Sequence, residues 1–359
     1  MEQPAYWQKR ARCRPEVVIG FYRELSTMLN SGISLMDALQ VVVDFASDET
    51  LVLVVAELQT KVSSGHRLSV AMAGFPRLFS SLSVSMVAMG EANGQLVRQL
   101  DQLCRWMEKD DHLRRQLKSA LTYPAFALSL TSFLTLLLFV SVVPSFIDMF
   151  DDLGAELPWP TRILILITTV ITSPAAWTAG SLCLLAALLL GRGYFESPEV
   201  RRECYRLALF FPVLGGLLRD TAMARFTAAA AAMLEAGTDF LTGLRLAAEA
   251  SGSPLVAYDS RPLRTAIEQG ESLSEHFATR PDIYPRTVVH LTHAGEESAR
   301  VADMFGFLAR HYEEEVSYRV ELMSTLLEPL LMSGVAVVVG FIVISVFLPM
   351  YSLVGKFAA

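Results

Sequence analysis

Three stretches of this chain run for 27 to 29 residues without one charged side chain: Ser119–Ile147, Ile163–Gly191 and Pro329–Gly355. About 20 apolar residues in a helix are enough to cross the hydrocarbon core of a bilayer. Lipid offers no partner to a bare peptide group, so a segment that crosses it alone must be helical. Charges bound every stretch: Lys118 and Asp148, Arg162 and Arg192, Glu328 and Lys356. The composition fits, with 19% charged residues against about 25% in an ordinary globular chain. Something here faces lipid.

Lysine and arginine accumulate on the cytoplasmic side of such segments. Arg105, Lys109, Arg114, Arg115 and Lys118 precede the first run, and Arg192, Arg201, Arg202 and Arg206 come after the second. Between those two runs the only basic residue is Arg162, against Asp148, Asp151, Asp152 and Glu156. The expected topology is a cytoplasmic N-terminus, a short acidic periplasmic loop at 148–162, a large cytoplasmic segment at 192–328 and a periplasmic tail at 356–359. The polar segment Met1–Glu16 is followed by no apolar stretch, so no cleavable signal sequence is expected. No run contains Asp, Glu, Lys, Arg or His. Ionisable groups within a membrane mark ion paths and proton relays, and their lack counts against a small-solute transporter, the alternative reading. The net charge of −7 gives no basic field to attract nucleic acid.

An internal duplication sets the rest of the plan. Shifting the chain by 205 positions places Phe21 on Phe226, Gly32 on Gly237, Gly65 on Gly270, Leu68-Ser69 on Leu273-Ser274, Pro76 on Pro281 and Gly90-Glu91 on Gly295-Glu296. Arg105 then meets Arg310, Glu108 meets Glu313, Pro124 meets Pro329 and Pro144 meets Pro349. One ungapped offset aligning glycines and prolines over some 130 residues is not a product of chance. The repeated unit is a domain plus the span after it, and the second span returns the chain so that both copies lie on one side.

Each copy shows apolar residues at helical spacing and no alternating strand pattern. The expected fold is therefore an all-α membrane protein, with two homologous cytoplasmic bundles of about six helices each and three transmembrane helices. The boundaries are a 1–19 extension, bundles at 20–118 and 192–328, spans at 119–147, 163–191 and 329–355, and the loop and tail already given. Gly32 and Gly237 come after helical patterns and suit left-handed C-terminal caps. Gly65 and Gly270 do the same, and Pro76 and Pro281 break the chain again. A Gly-Glu pair, as at Gly90-Glu91 and Gly295-Glu296, suits a helix junction at which the carboxylate caps the amides of the next helix start. A role for these carboxylates in partner contact or ion binding is the other reading.

Catalytic signatures are lacking: there is no G-x-x-x-x-G-K-[ST] phosphate loop, no G-x-S-x-G and no H-E-x-x-H, and no cofactor is expected. His290 and His293 form an H-x-x-H near Glu296, which on a helix could bind a metal. Their counterparts are Ser85 and Ala88, so surface or packing histidines are the favoured reading. Cys13, Cys104, Cys183 and Cys204 have no metal or redox spacing and are expected as buried free thiols.

The ordered motifs Met28-Leu29-Asn30-Ser31-Gly32, Gly65-His66-Arg67-Leu68-Ser69, Phe75-Pro76 and Gly90-Glu91-Ala92-Asn93-Gly94-Gln95-Leu96, then Tyr123-Pro124 at the span entrance, have counterparts in Met233-Leu234-Glu235-Ala236-Gly237, Gly270-Glu271-Ser272-Leu273-Ser274, Pro281 to Tyr284, Gly295-Glu296-Glu297-Ser298 and Glu328-Pro329. With three spans, this resembles the type II secretion system F / type IV pilus assembly C family over about residues 20 to 355. The second copy departs at Ala299 and Val301, where the first has Gly94 and Leu96. The resemblance implies a non-enzymatic inner-membrane platform protein. Its implied partners are a cytoplasmic hexameric ATPase, pilin or pseudopilin subunits, other inner-membrane assembly proteins and further copies of itself.

Overall fold

The computed structural model describes residues 11–142, 159–173 and 197–357, with isolated positions between them. The first ten residues, most of the acidic loop, and Ala176, Gly180 and Cys183 of the second run lie outside the described residues.

The first bundle opens with α1 (Pro15–Asn30). Proline suits the first helical position, where its missing N–H would find no helical partner anyway. Val18, Ile19, Tyr22 and Leu25 recur three and four residues apart and are buried; that stripe makes α1 one wall of a core. Next come α2 (Leu35–Phe45), α3 (Glu49–Ser63), α4 (Leu68–Met72), α5 (Ser81–Asn93) and α6 (Leu96–Leu137). Ser34 caps α2 by accepting from the Asp37 N–H at 3.2 Å, and Asp48 caps α3 by accepting from the Leu51 N–H at 3.0 Å. After α6 comes a π turn, Leu138–Val142.

Further along the chain are α7 (Trp159–Thr172) and α8 (Pro198–Phe210). Helix α7 starts inside the stretch read as loop, because Pro160 suits a first helical turn. The second bundle comprises α9 (Pro212–Glu235), α10 (Phe240–Ala250), α11 (Pro254–Glu268), α12 (Leu273–Ala278), α13 (Arg286–Glu297) and α14 (Val301–Phe357). Its caps fall on the same offset: Asp239 accepts from the Thr242 N–H at 3.1 Å and Ser253 from the Val256 N–H at 3.4 Å. The helix order is that of the first bundle, six for six, and no strand occurs among the described residues.

Helices α6 and α14 hold 42 and 57 residues, or about 63 and 85 Å at 1.5 Å per residue. Each begins in a bundle and continues through Pro124 or Pro329 into its uncharged run. Both are long and apolar enough to cross a membrane, and Phe126, Phe133, Leu330 and Val337 stand exposed along them. The second expected span is described only in its first part, α7.

The chain divides into two compact units. One runs to Gln116 and resumes at Arg202–Arg319, holding both bundles; the other is Leu117–Arg201 with Val320 onward. Within the latter, Phe139, Leu164 and Ile342 are buried, and the Thr161 hydroxyl donates to the Ser345 carbonyl at 2.6 Å.

Aromatic rings fill both bundle cores. Phe21, Tyr22, Phe75 and Phe79 cluster in the first, with ring centroids 5.3–6.5 Å apart. Phe226, Phe277, Tyr284 and Phe305 cluster in the second, with Phe277 and Tyr284 stacked at 4.1 Å. Here the copies part. Asp259 is fully buried and is met by Arg280 Nη1 at 2.8 Å, His276 Nε2 at 3.0 Å and the Tyr284 hydroxyl at 3.0 Å. Burial, then the Asp259 charge, pushes the Tyr284 phenol well above its usual pKa. The corresponding positions in the first copy are Val54, Phe75, Ala71 and Phe79, an apolar set in the same corner.

Breaking a buried charge pair by removing one partner costs about 3–5 kcal/mol, whereas replacing the whole group by well-packed apolar residues is often neutral. Asp259→Ala should therefore lower unfolding free energy by about 3 kcal/mol, read by denaturant titration of the detergent-solubilised chain. Transplanting the first copy's set, Asp259→Val with His276→Ala, Arg280→Phe and Tyr284→Phe, should recover most of that loss. If the single variant is as stable as the parent, the network has no structural role.

Candidate functional site: a duplicated glycine-glutamate junction

Helix α4 is short, and Arg67 at its N-cap offers no side-chain cap. Its free amides are met from elsewhere. Glu91, near the end of α5, accepts from the Leu68 N–H at 2.5 Å, the Ser69 N–H at 3.2 Å and the Ser69 hydroxyl. The second copy repeats each bond: Glu296 accepts from the Leu273 N–H at 2.6 Å, the Ser274 N–H at 3.1 Å and the Ser274 hydroxyl at 2.5 Å. A carboxylate at a helix N-terminus meets both the free amides and the positive end of the helix dipole. The helix capped is not the next one in the chain, as the sequence suggested. It lies more than 20 residues earlier, so the bond is a tertiary tie and not a local cap.

The preceding glycine has a separate reason. A Cβ on Gly90 would sit 2.9 Å from the Leu96 Cα, and one on Gly295 would sit 3.1 Å from the Val301 Cα and 3.0 Å from Met304 Cγ. Those are the first turns of the two long helices. Glycine is what lets each long helix start flush against the helix before it.

Gly94 ends α5 in the left-handed conformation, at φ 67°, and the Gln95 N–H returns to the Gly90 carbonyl at 2.9 Å. Ala299 holds the same geometry at φ 55°, with the Arg300 N–H on the Gly295 carbonyl at 2.8 Å. The second copy thus keeps the turn and accepts backbone strain for it. Gly65 and Gly270 also take positive φ in the loops entering α4 and α12, and Gly32 and Gly237 do so after α1 and α9. Gly65, Gly90, Glu91 and Gly94 therefore serve one corner of the bundle, as Gly270, Gly295 and Glu296 do in the other. Gly32, Gly237, Pro76 and Pro281 shape separate turns, while Pro124 and Pro329 lie within α6 and α14.

His293 lies 3.4 Å from the Ser274 hydroxyl and 3.5 Å from Glu297. Among the described residues no three His, Cys, Asp or Glu side chains converge as a metal set. Cys13 is half-buried and Cys104 buried, but Cys204 is exposed, contrary to the expectation of buried thiols; it sits on α8, outside both bundle cores. Burial, with help from Asp48 and Glu108 respectively, pushes the Cys13 thiol up to about 12 and the Cys104 thiol up to about 11, so neither is a ready nucleophile.

Sequence reasoning missed the seam between the two bundles. Asp110 of α6 pairs with Arg225 of α9 at 2.6 Å, both side chains under one-fifth exposed. Lys109 pairs with Glu313 at 3.1 Å, and Gln99 Nε2 donates to the Ala236 carbonyl at 3.2 Å. Between α6 and α14, Arg105, Glu108, His112, Arg310 and Glu314 line an open groove of about 800 Å³. Arg105 and Arg310, and Glu108 and Glu313, are equivalent residues of the two copies, a signal present in the alignment of the chain on itself.

These features define a class: a helical membrane protein made of a duplicated six-helix bundle, whose last helix is in both copies long enough to span a bilayer. The sequence model of the type II secretion system (T2SS) protein F family matches residues 21–144 and again 226–349, two segments set apart by the internal offset of 205. Type IV pilus assembly protein PilC of Thermus thermophilus is 33% identical over 336 residues, covering 93% of this chain and 82% of that protein. PilC of Myxococcus xanthus is 29% identical over 94% and 80%, and type II secretion system protein F of Aeromonas hydrophila is 28% identical over 92% and 84%. The chain belongs to the type II secretion system protein F family.

A hydrogen bond to a charged group contributes about 1.5–3 kcal/mol. Glu91→Ala and Glu296→Ala should each cost about 2–3 kcal/mol, measured by denaturant titration, with Glu→Gln intermediate. Ala299→Gly should instead stabilise the chain by about 1 kcal/mol by relieving the left-handed strain. A destabilising Ala299→Gly would show that the turn carries no strain.

Proposed function

We propose that this chain is the inner-membrane platform of a machine that assembles a type IV pilus or a type II secretion pseudopilus. One observation carries the mechanical part of the reading: in both copies a single helix, α6 or α14, begins at the bundle and continues into the apolar run with no glycine-rich break. Movement of a bundle is then passed to its span as movement of one rod.

The bundles, 20–118 and 192–328, lie in the cytoplasm. There they dock the hexameric ATPase, whose nucleotide chemistry this chain has no phosphate loop to perform. The spans at 119–147, 163–191 and 329–355, in a homo-oligomer and alongside other inner-membrane assembly proteins, handle the pilin or pseudopilin subunit. The lysine and arginine asymmetry supports the orientation. The relatives' names, covering both pilus assembly and secretion, support the class of machine.

Two experiments test the proposal. Reporter fusions should place the 148–162 loop in the periplasm and the 1–118 and 193–328 segments in the cytoplasm; a cytoplasmic signal from the loop overturns the topology. Inserting a flexible Gly-Ser stretch between Lys118 and Tyr123 should abolish pilus or pseudopilus assembly while co-purification with the ATPase persists. Normal assembly by that variant overturns coupling through α6.

A further inference from the structure

Helix α8 belongs to neither matched segment, since the family matches resume only at residue 226. None of its residues is buried. One face is nonetheless held to the second bundle. The Tyr205 hydroxyl donates to the Leu218 carbonyl at 3.1 Å, and the Arg202 guanidinium lies 4.0 Å from the centre of the Tyr258 ring.

The other face is open and carries apolar side chains beside the exposed Glu203–Arg206 pair. Leu207 is 69% exposed and Phe210 is 89% exposed, and past the sharp bend into α9 Phe211 and Leu214 are 60% and 48% exposed. Cys204 stands exposed on the same side. Two further charges, Glu199 and Arg201, lie near its start, and Glu203 and Arg206 pair with each other at 2.7 Å. Water does not favour two phenylalanines and two leucines displayed together; burying each fully is worth about 1.5–3 kcal/mol.

The chain itself indicates the cover. Six residues, 192–197, separate the uncharged run ending at Gly191 from the start of α8. Seven peptide steps at about 3.5 Å reach no more than about 25 Å. If that run crosses the bilayer, as the proposed function holds, α8 cannot leave the neighbourhood of the membrane surface. Arg192, Arg201, Arg202 and Arg206 outnumber Glu199 and Glu203 there, which suits an anionic leaflet.

We propose that α8 is an interfacial helix: the face of Cys204, Leu207, Phe210, Phe211 and Leu214 lies in the headgroup and upper acyl region of an anionic membrane, with Arg201 and Arg206 on the phosphates. Such helices combine an apolar stripe with basic flanks and lie in the plane of the membrane. The second bundle, fastened to α8 through Tyr205 and Arg202, is thereby fixed against the lipid surface.

The test uses the full-length chain reconstituted into phosphatidylcholine vesicles with and without phosphatidylglycerol. One variant keeps Cys204 as the only thiol (Cys13→Ser, Cys104→Ala, Cys183→Ala). A second removes it and carries Phe210→Cys, and a third carries Val337→Cys within the third run as a lipid control. An environment-sensitive dye on Cys204 or at position 210 should be quenched by lipids bearing a nitroxide high on the acyl chain and shielded from aqueous iodide. Arg201→Gln and Arg206→Gln should each lower the ratio of lipid-inserted to water-exposed dye about 5-fold in anionic vesicles, with little change in neutral ones. Iodide quenching at 204 and 210 while the Val337 label reads lipid overturns the proposal. Shielding from both quenchers also overturns it, because protein, such as a second copy, then covers the face. A Val337 label that fails to read lipid instead overturns the membrane reading itself.

Discussion

Everything in each bundle turns on how the long last helix starts. Leu96 and Val301 begin helices of 42 and 57 residues, and backbone lies against backbone at those starts, 2.9 and 3.1 Å from where a Cβ on Gly90 or Gly295 would sit. No larger residue allows that crossing without moving the long helix. The neighbouring carboxylates bind the same corner to α4 and α12 through three hydrogen bonds each. Direction in a rod is set at its root. The tight crossing beside a charge-assisted tie fixes the start of each long helix within its own bundle.

The copies keep this root and differ in what surrounds it. In the first, Val54, Ala71, Phe75 and Phe79 fill a core corner with apolar volume; in the second, Asp259, His276, Arg280 and Tyr284 fill it with a buried carboxylate and three donors. Buried apolar contacts adapt to small shifts, but a carboxylate that needs three directed partners does not, because each lost bond leaves a desolvated charge. The second bundle is thus the more specified of the two. It also carries α8, which lies outside the family match. The two copies therefore share one root geometry while differing in core chemistry.

The sequence discloses what depends on backbone conformation or on lack of charge. The offset of 205, the count of about six helices per copy and the left-handed glycines Gly32, Gly65, Gly237 and Gly270 are readable, because glycine in a left-handed turn and a charge-free run have few substitutes. Even the N-terminal caps, Ser34 with Asp239 and Asp48 with Ser253, lie on the same offset. Contacts made between helices are not readable in this way. Glu91 looks like a local cap because the next helix in the chain is its nearest neighbour in sequence, whereas its partners precede it by 22 and 23 positions. The Asp259 network is hidden for a related reason. Its members lie 17 to 25 residues from the aspartate, each an ordinary polar residue on its own segment. The signal that could have found it is comparative: four polar residues in one copy all align with apolar ones in the other.

The seam between the bundles rests on the same asymmetry. Asp110 meets Arg225, both largely buried, yet their counterparts are Glu315 and Gly20, so the reciprocal pair cannot form. A duplicated domain in which every contact had its mirror image would close on itself with both copies equivalent. Here the pairing is one-sided: the last helix of the first copy engages the first helix of the second. Burial draws the Arg225 guanidinium below its usual pKa and Asp110 opposes that shift, as for a charge kept in place by one partner. Removing either residue would strand the other in a largely dry seam. The pair therefore ties the position of α6 in the first copy to that of α9 in the second.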